Sequence, residues 1–349
     1  MEAAVFDPSH WKTLLSPYVT ALKQQAAHLD PLDPWFSLIL FIAASAVMIW
    51  RLEALEKKGF EGTVLGTLVM PYASGFSNLM FAFVLGKSGG SGSLVLENCL
   101  VNNVTNLTLL VGLSTLFWTL IVIPSKSKKG KRKITKAHRI NYLSLLLTLF
   151  ALFFFTGAVW ALARDGSLDF SDGLVLVGMF LFWQLFHIFD ILKHNFLHKR
   201  SFPKSIIFDF IIVMASGIAV YYSIERLVAW IPRTGPGFFV FDNLGWLSGI
   251  LMVLPNGMVA LYYAKANRAD VVYTSQIGDG HICIPMCVGL FALFNTIKIP
   301  PHLNLSVSLI IGAGLLHFTF IALLGRLPRS VGVVLTGAYG FFLYKGLIS

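Results

Sequence analysis

Asn98, Asn102 and Asn106 stand four residues apart, and Ser275 and Asp279 repeat that spacing inside a second apolar stretch. On an α-helix such a spacing lines residues along one face, so the chain carries two oxygen-bearing stripes. Hard cations are held by amide, hydroxyl and carboxylate oxygens. Calcium takes roughly 6–8 of them, usually with several carboxylates. A lone carboxylate suits a monovalent cation or a proton better. An uncompensated acid within a membrane span costs about 2.5–3.5 kcal/mol on insertion scales, which makes Asp279 the leading candidate ligand. Glu97, at the start of the asparagine run, is the second. The bland alternatives are amides that merely join helices and a protonated Asp279 doing the same.

A second pattern accompanies these stripes. "MPYASG" at 70–75 and "LPNGMV" at 254–259 each place a proline and a glycine within a long apolar run. Proline removes an amide donor and clashes with the preceding turn. Pro71 with Gly75, and Pro255 with Gly257, therefore predict two matched helix breaks. In a membrane, irregular backbone is tolerated where it lines a protected cavity. Paired breaks at corresponding positions of two halves point to a midplane site.

The elements that position these residues follow from composition. Of 349 residues, 56% are hydrophobic and 13% charged, about half the charge of a soluble chain. Runs of the length needed to cross a bilayer recur, and Pro/Gly or charged punctuation divides them into ten spans. They lie near 36–55, 62–86, 95–123, 140–163, 171–192, 205–229, 243–265, 272–296, 304–324 and 329–347. Loops after odd-numbered spans hold 19 Lys and Arg, and loops after even-numbered spans hold 5. The positive-inside bias then places both termini outside the cytoplasm. The chain reads as an all-α polytopic membrane protein: an amphipathic segment at 1–35, a five-helix unit at 36–192 with a basic loop at 124–139, a basic linker at 193–204, and a second five-helix unit at 205–349. Five spans per half make the second half enter inverted, an arrangement common in secondary transporters. The basic loop has no interleaved aromatic residues and is explained by topology, so no nucleic-acid partner is expected; the lipid bilayer is.

His187, Asp190, His194 and His198 share a helical face, but at a cytoplasmic end where such groups are readily solvated. Cys99, Cys283 and Cys287 read as packing residues, and no metal-type CxxC occurs. No nucleophile–base pair or HExxH motif suggests an enzyme, and no cofactor is implied.

In the first half "VMPYASGFSNLMFAF" precedes "ENCLVNNVTNLTLLVGL"; in the second "VLPNGMVALYYA" precedes "SQIGDGHICIPMCVGL". These paired motifs resemble the α-repeats of the calcium/cation antiporter superfamily, whose best-known members are sodium/calcium exchangers. The resemblance implies ten transmembrane helices as two inverted five-helix repeats, with α-repeat helices enclosing the ion sites. It also implies roles position by position. The family's acidic residue after proline is replaced by Tyr72 in the first repeat and by Asn256 in the second. Asn102 and Asp279 fall on its serine, and Asn106 and Cys283 on its final asparagine. The expected site is Asp279 lined by Asn98, Asn102, Asn106, Tyr72, Asn256, Ser275 and Glu97. The expected function is a cation or proton-coupled antiporter with a substrate altered from calcium. The alternative is a transport-inactive relative serving as a scaffold or partner subunit, and no particular protein partner is indicated. A bacterial inner membrane is the expected location.

Overall fold

The computed structural model describes residues 33–57, 64–123, 136–196, 205–231 and 240–347. The N-terminal amphipathic stripe, most of the basic loop, the linker and His198 lie outside the described residues. So do the side chains of Pro71, Tyr72, His187, Asp190 and His194.

The chain is mostly helical. It runs as α1 (Asp33–Lys57), α2 (Val64–Lys87), α3 (Gly92–Val104), α4 (Val111–Phe117), α5 (Lys136–Leu162), α6 (Phe170–Phe196) and α7 (Ser205–Trp230). Then follow α8 (Leu244–Leu251), α9 (Leu254–Lys265), α10 (Ala269–Ile282), α11 (Val288–Ala292), α12 (Leu303–Leu324) and α13 (Arg329–Leu347). Six helical stretches among the described residues are long and apolar enough to cross a membrane. Large apolar side chains such as Phe182 and Leu323 lie mostly uncovered, at 74% and 77% exposure. A soluble monomer does not present so much apolar surface; acyl chains are its natural solvent.

All-helical is not quite right. Four two-residue strands form two antiparallel pairs: β1 (Leu120–Ile121) with β4 (Arg326–Leu327), and β2 (Ser167–Leu168) with β3 (Ile297–Lys298). They satisfy backbone groups where the chain leaves one helix for the next. The helix contacts have the same reciprocity. Helix α2 packs on α10 and α3 on α8; α4 packs on α13 and α11 on α6. Bare glycines permit the last two approaches. A β-carbon at Gly332 would lie 2.8 Å from the carbonyl oxygen of Gly112, and one at Gly173 would lie 2.9 Å from that of Gly289.

The expected helix breaks need correction. Helix α2 is continuous through Pro71 and Gly75. Gly75 serves close packing instead: a β-carbon there would come within 2.6 Å of the Ile282 β-carbon on α10. In the second half a short turn at Met252–Val253 separates α8 from α9, and Pro255 sits in the first turn of α9. That is a favourable proline position, since its missing N–H has no intrahelical acceptor there. Gly257 likewise packs, with a β-carbon 3.2 Å from Leu110.

The matched irregularities lie one helix further along. Thr105–Leu110 joins α3 to α4 as a π-helical turn, and Cys283–Cys287 joins α10 to α11 in the same way. Their local causes differ. In the first, Thr105 and Thr108 hydroxyls donate to the carbonyls of Val101 and Val104, at 2.7 and 2.5 Å, competing with the backbone ladder. In the second, Pro285 lacks the amide that the ladder requires. Such turns widen a helix and are frequent at functional sites.

Candidate functional site

The site forms where the first π-helical turn and the end of α10 meet α9. Asp279, near the end of α10, is fully buried. Its Oδ2 accepts hydrogen bonds from Asn106 Nδ2 at 2.7 Å and from Asn256 Nδ2 at 3.1 Å. Its Oδ1 accepts from Cys283 Sγ at 3.7 Å. Asn106 lies in the first π-helical turn and Asn256 in the first turn of α9. One carboxylate is therefore gripped by both halves of the chain.

A polar chain extends from that carboxylate. Asn106 Nδ2 also donates to Asn102 Oδ1 at 2.8 Å, and Asn102 Nδ2 donates to Asn78 Oδ1 at 3.2 Å. On the other side Gln276 Nε2 donates to the Asn256 carbonyl at 3.3 Å and to Ser275 Oγ at 2.8 Å. The amide oxygens of Asn98, Asn106 and Gln276 are buried and have no hydrogen-bond partner. Buried polar atoms without partners are rare in native proteins. Of these, the Asn106 oxygen belongs to an amide that touches the Asp279 carboxylate, a neutral-plus-one-charge donor pair for a hard cation.

Not every predicted residue joins this network directly. Asn98 Nδ2 donates to Ser248 Oγ on α8 at 2.9 Å and approaches Met252 Sδ at 3.6 Å, so it joins α3 to α8. Ser275 reaches the centre only through Gln276. Glu97 is partly exposed, and its carboxylate accepts hydrogen bonds from the backbone and side chain of Trp246. That places it at the first turn of α8, where an acid stabilises unpaired amides, rather than at the Asp279 centre. Tyr72 lies on α2, with its side chain outside the described residues.

Three polar residues escape the sequence reading: Asn78 and Gln276 in the Asp279 network, and Ser248 as the partner of Asn98. All three are polar residues inside apolar runs, and counting every such residue, rather than only those on a regular stripe, would have found them. His317 was missed as well. Fully buried on α12, its Nε2 lies 2.9 Å from the Leu107 carbonyl of the first π-helical turn. The three cysteines are free and buried, and the Cys99, Cys283 and Cys287 thiols contact one another. Among the described residues no group of three His, Cys, Asp or Glu side chains could hold a metal ion.

Comparison with known proteins agrees with this architecture. Residues 35–189 match the family model described as sodium/calcium exchanger protein. Solved structures of the sodium-calcium exchanger NCX_Mj share the fold. The form soaked with 2.5 mM Na+ and 10 mM Sr2+ superposes with a TM-score of 0.63 at 19% identity, covering 90% of this chain and 96% of that one. The form soaked with 2.5 mM Na+ and 0.1 mM Ca2+ gives 0.62 at 18% identity, covering 90% and 96%. The form soaked without Na+ and Ca2+ gives 0.62 at 18%, covering 88% and 96%. No curated protein sequence matches. Residues 35–189 are thus similar to sodium/calcium exchanger proteins, and the chain shares the fold of NCX_Mj.

Proposed function

We propose that the protein is a secondary cation antiporter whose substrate has moved from calcium to a monovalent cation, with or without proton coupling. The observation that carries this reading is Asp279, a single fully buried carboxylate hydrogen-bonded by Asn106 and Asn256 from opposite halves. Charge count sets the cation. A centre with one carboxylate and neutral amide oxygens balances one positive charge, and the Asn256 amide replaces an acid in the related family's motif. A second positive charge there meets no compensating carboxylate, and uncompensated charge in a low-dielectric interior is expensive.

The fold reading that accompanies it is ten transmembrane helices as two inverted five-helix repeats. The reciprocal helix contacts, the two strand pairs and the two π-helical turns support that reading. A transport cycle needs the central carboxylate to be reached alternately from each side. Two halves that both grip Asp279 supply such a centre, about which they can rock. The topology proposed from loop charge has both termini outside the cytoplasm of a bacterial inner membrane.

Purified protein titrated with Na+, K+, Li+ and Ca2+ provides the test. A ligand that binds only the folded state raises apparent stability, by about 2.7 kcal/mol at a hundred times its Kd. The expected result is a rise in Tm with one or more monovalent cations, lost in Asp279→Asn, and matching flux in reconstituted vesicles. Robust sodium-driven calcium uptake by the wild type would overturn the change of substrate. Unaltered monovalent flux in a well-expressed Asp279→Asn variant would overturn the assignment of the site.

A further inference from the structure

An apolar groove runs between α1, α7 and α8, away from the Asp279 network. Its cavity of about 650 Å³ is walled by Trp35, Leu38, Phe81, Leu227, Leu247 and Leu251, among others. That volume lies within the roughly 300–1,000 Å³ range of ligand pockets. The wall is almost wholly hydrocarbon, so it offers nothing to an ion. A second cavity of about 270 Å³ adjoins it, with Val228 and Ile231 lining both. The second cavity has a different chemistry: Lys87 and Glu225 are part of its wall. Lys87 Nζ lies 3.7 Å from Glu225 Oε1 and 3.5 Å from Tyr221 Oη.

Position within the membrane interprets this pair of cavities. Trp35 and Trp230 line the apolar groove and are more than half exposed. Tryptophans of that kind concentrate at the headgroup level of a bilayer. Lys87 closes α2, while Trp230 closes α7, so the charged end sits at the interface and the groove descends from it. A bilayer placed by those tryptophans would set acyl chains against the groove and headgroups against Lys87 and Glu225.

We infer that the two cavities together form a binding site for one phospholipid with a zwitterionic aminoalkyl phosphate headgroup, of the phosphatidylethanolamine type. Its acyl chain fills the groove, Lys87 receives the phosphate and Glu225 receives the ammonium. An anionic lipid satisfies only Lys87 and sets its phosphate beside the Glu225 carboxylate, so the pair of opposite charges selects the zwitterion. The groove's inner wall includes Ser248 and Met252, the two partners of Asn98, which places the lipid chain directly behind the asparagine stripe.

The test uses delipidated full-length protein in detergent. Dioleoyl phosphatidylethanolamine and dioleoyl phosphatidylglycerol are added in parallel, and Tm and lipid retention by native mass spectrometry are read. Phosphatidylethanolamine is expected to raise Tm and remain bound, and phosphatidylglycerol to do so less. Leu251→Trp, which fills the groove, is expected to abolish the difference. Glu225→Gln, a partly exposed change that leaves the core untouched, is expected to remove the preference while retaining acyl binding, and it carries the test if the filled variant does not fold. Equal responses of the wild type to both lipids, or an undiminished preference in Glu225→Gln or in folded Leu251→Trp, would overturn the site.

Discussion

Helices α3–α4 and α10–α11 share a shape and differ in chemistry. Each is interrupted by a π-helical turn, and each carries a polar run leading into that turn. Yet at the Asp279 centre the first contributes amides, Asn102 and Asn106, whereas the second contributes the carboxylate of Asp279 and the thiol of Cys283. Shape depends on backbone hydrogen bonding and glycine contacts, which several residue combinations satisfy. Threonine hydroxyls open one turn and Pro285 the other. Charge depends on one residue at one place. Two helix pairs of matching shape therefore carry unequal charge.

Moving the charge puts the greatest strain on that comparison. Asp279→Asn is expected to abolish cation-dependent stabilisation, since amides remain but no negative charge does. Asn102, which the family resemblance pairs with Asp279, is then the place to restore it. The double variant Asn102→Asp/Asp279→Asn keeps one carboxylate and moves it to the first half, within hydrogen-bonding reach of Asn106. Partial recovery of the cation response is the expected result in a thermal-shift titration. No recovery in a folded double variant would show that the halves are not interchangeable in charge.

Within the first stripe, the asparagines should not be equal. Asn106 donates to the Asp279 carboxylate, while Asn98 donates to a serine hydroxyl. Hydrogen bonds to charged groups are worth about 1.5–3 kcal/mol and neutral ones about 0.5–1.5 kcal/mol. Asn106→Leu is thus expected to weaken cation affinity about ten- to a hundredfold at 1.4 kcal/mol per decade. Asn98→Leu should act chiefly on overall stability. Equal losses of affinity in the two variants would erase the distinction.

Sequence made the chemistry more legible than the backbone. Asp279, Asn106 and Asn256 stand out because a polar residue in an apolar run is conspicuous by type. The π-helical turns were invisible for the opposite reason. Threonine in a span is commonplace, and whether its hydroxyl bonds to a carbonyl depends on rotamer. Pro71 and Gly75 misled because a sequence does not say which of two glycine properties is in use. At Gly75 the missing β-carbon makes room for Ile282, and the helix runs on. The reciprocal contacts of α4 with α13 and α11 with α6 also escape the sequence, being set by glycines more than 100 residues apart.

His317 tests whether the first turn is held from outside. Its ring nitrogen faces the Leu107 carbonyl, one residue past Asn106. His317→Leu removes a neutral hydrogen bond worth about 0.5–1.5 kcal/mol and should lower cation affinity about two- to tenfold by shifting Asn106. His317→Gln offers a replacement amide donor and should recover most of it. If both variants lose stability alike while cation affinity is unchanged, His317 supports the bundle but does not position Asn106.

The smallest effect should come from the other carboxylate. Glu97 and Asp279 are both acids within the matched helices, and composition alone does not rank them. Their surroundings do. Asp279 is fully enclosed and held by amides of two elements, whereas Glu97 is partly exposed and occupied by Trp246 at the start of α8. An acid at a helix start serves unpaired backbone amides, a contribution of about 0.5–2 kcal/mol. Glu97→Gln retains an acceptor oxygen for Trp246 and removes only the charge. The expected outcome is an unaltered cation response with a Tm slightly below wild type, because the remaining interaction with the helix dipole is weaker. Glu97→Leu, which removes the acceptor as well, should lower Tm further and still leave cation affinity intact. A loss of cation response in Glu97→Gln would instead make both carboxylates part of one centre. The site would then carry two negative charges, and calcium would return as a fitting substrate.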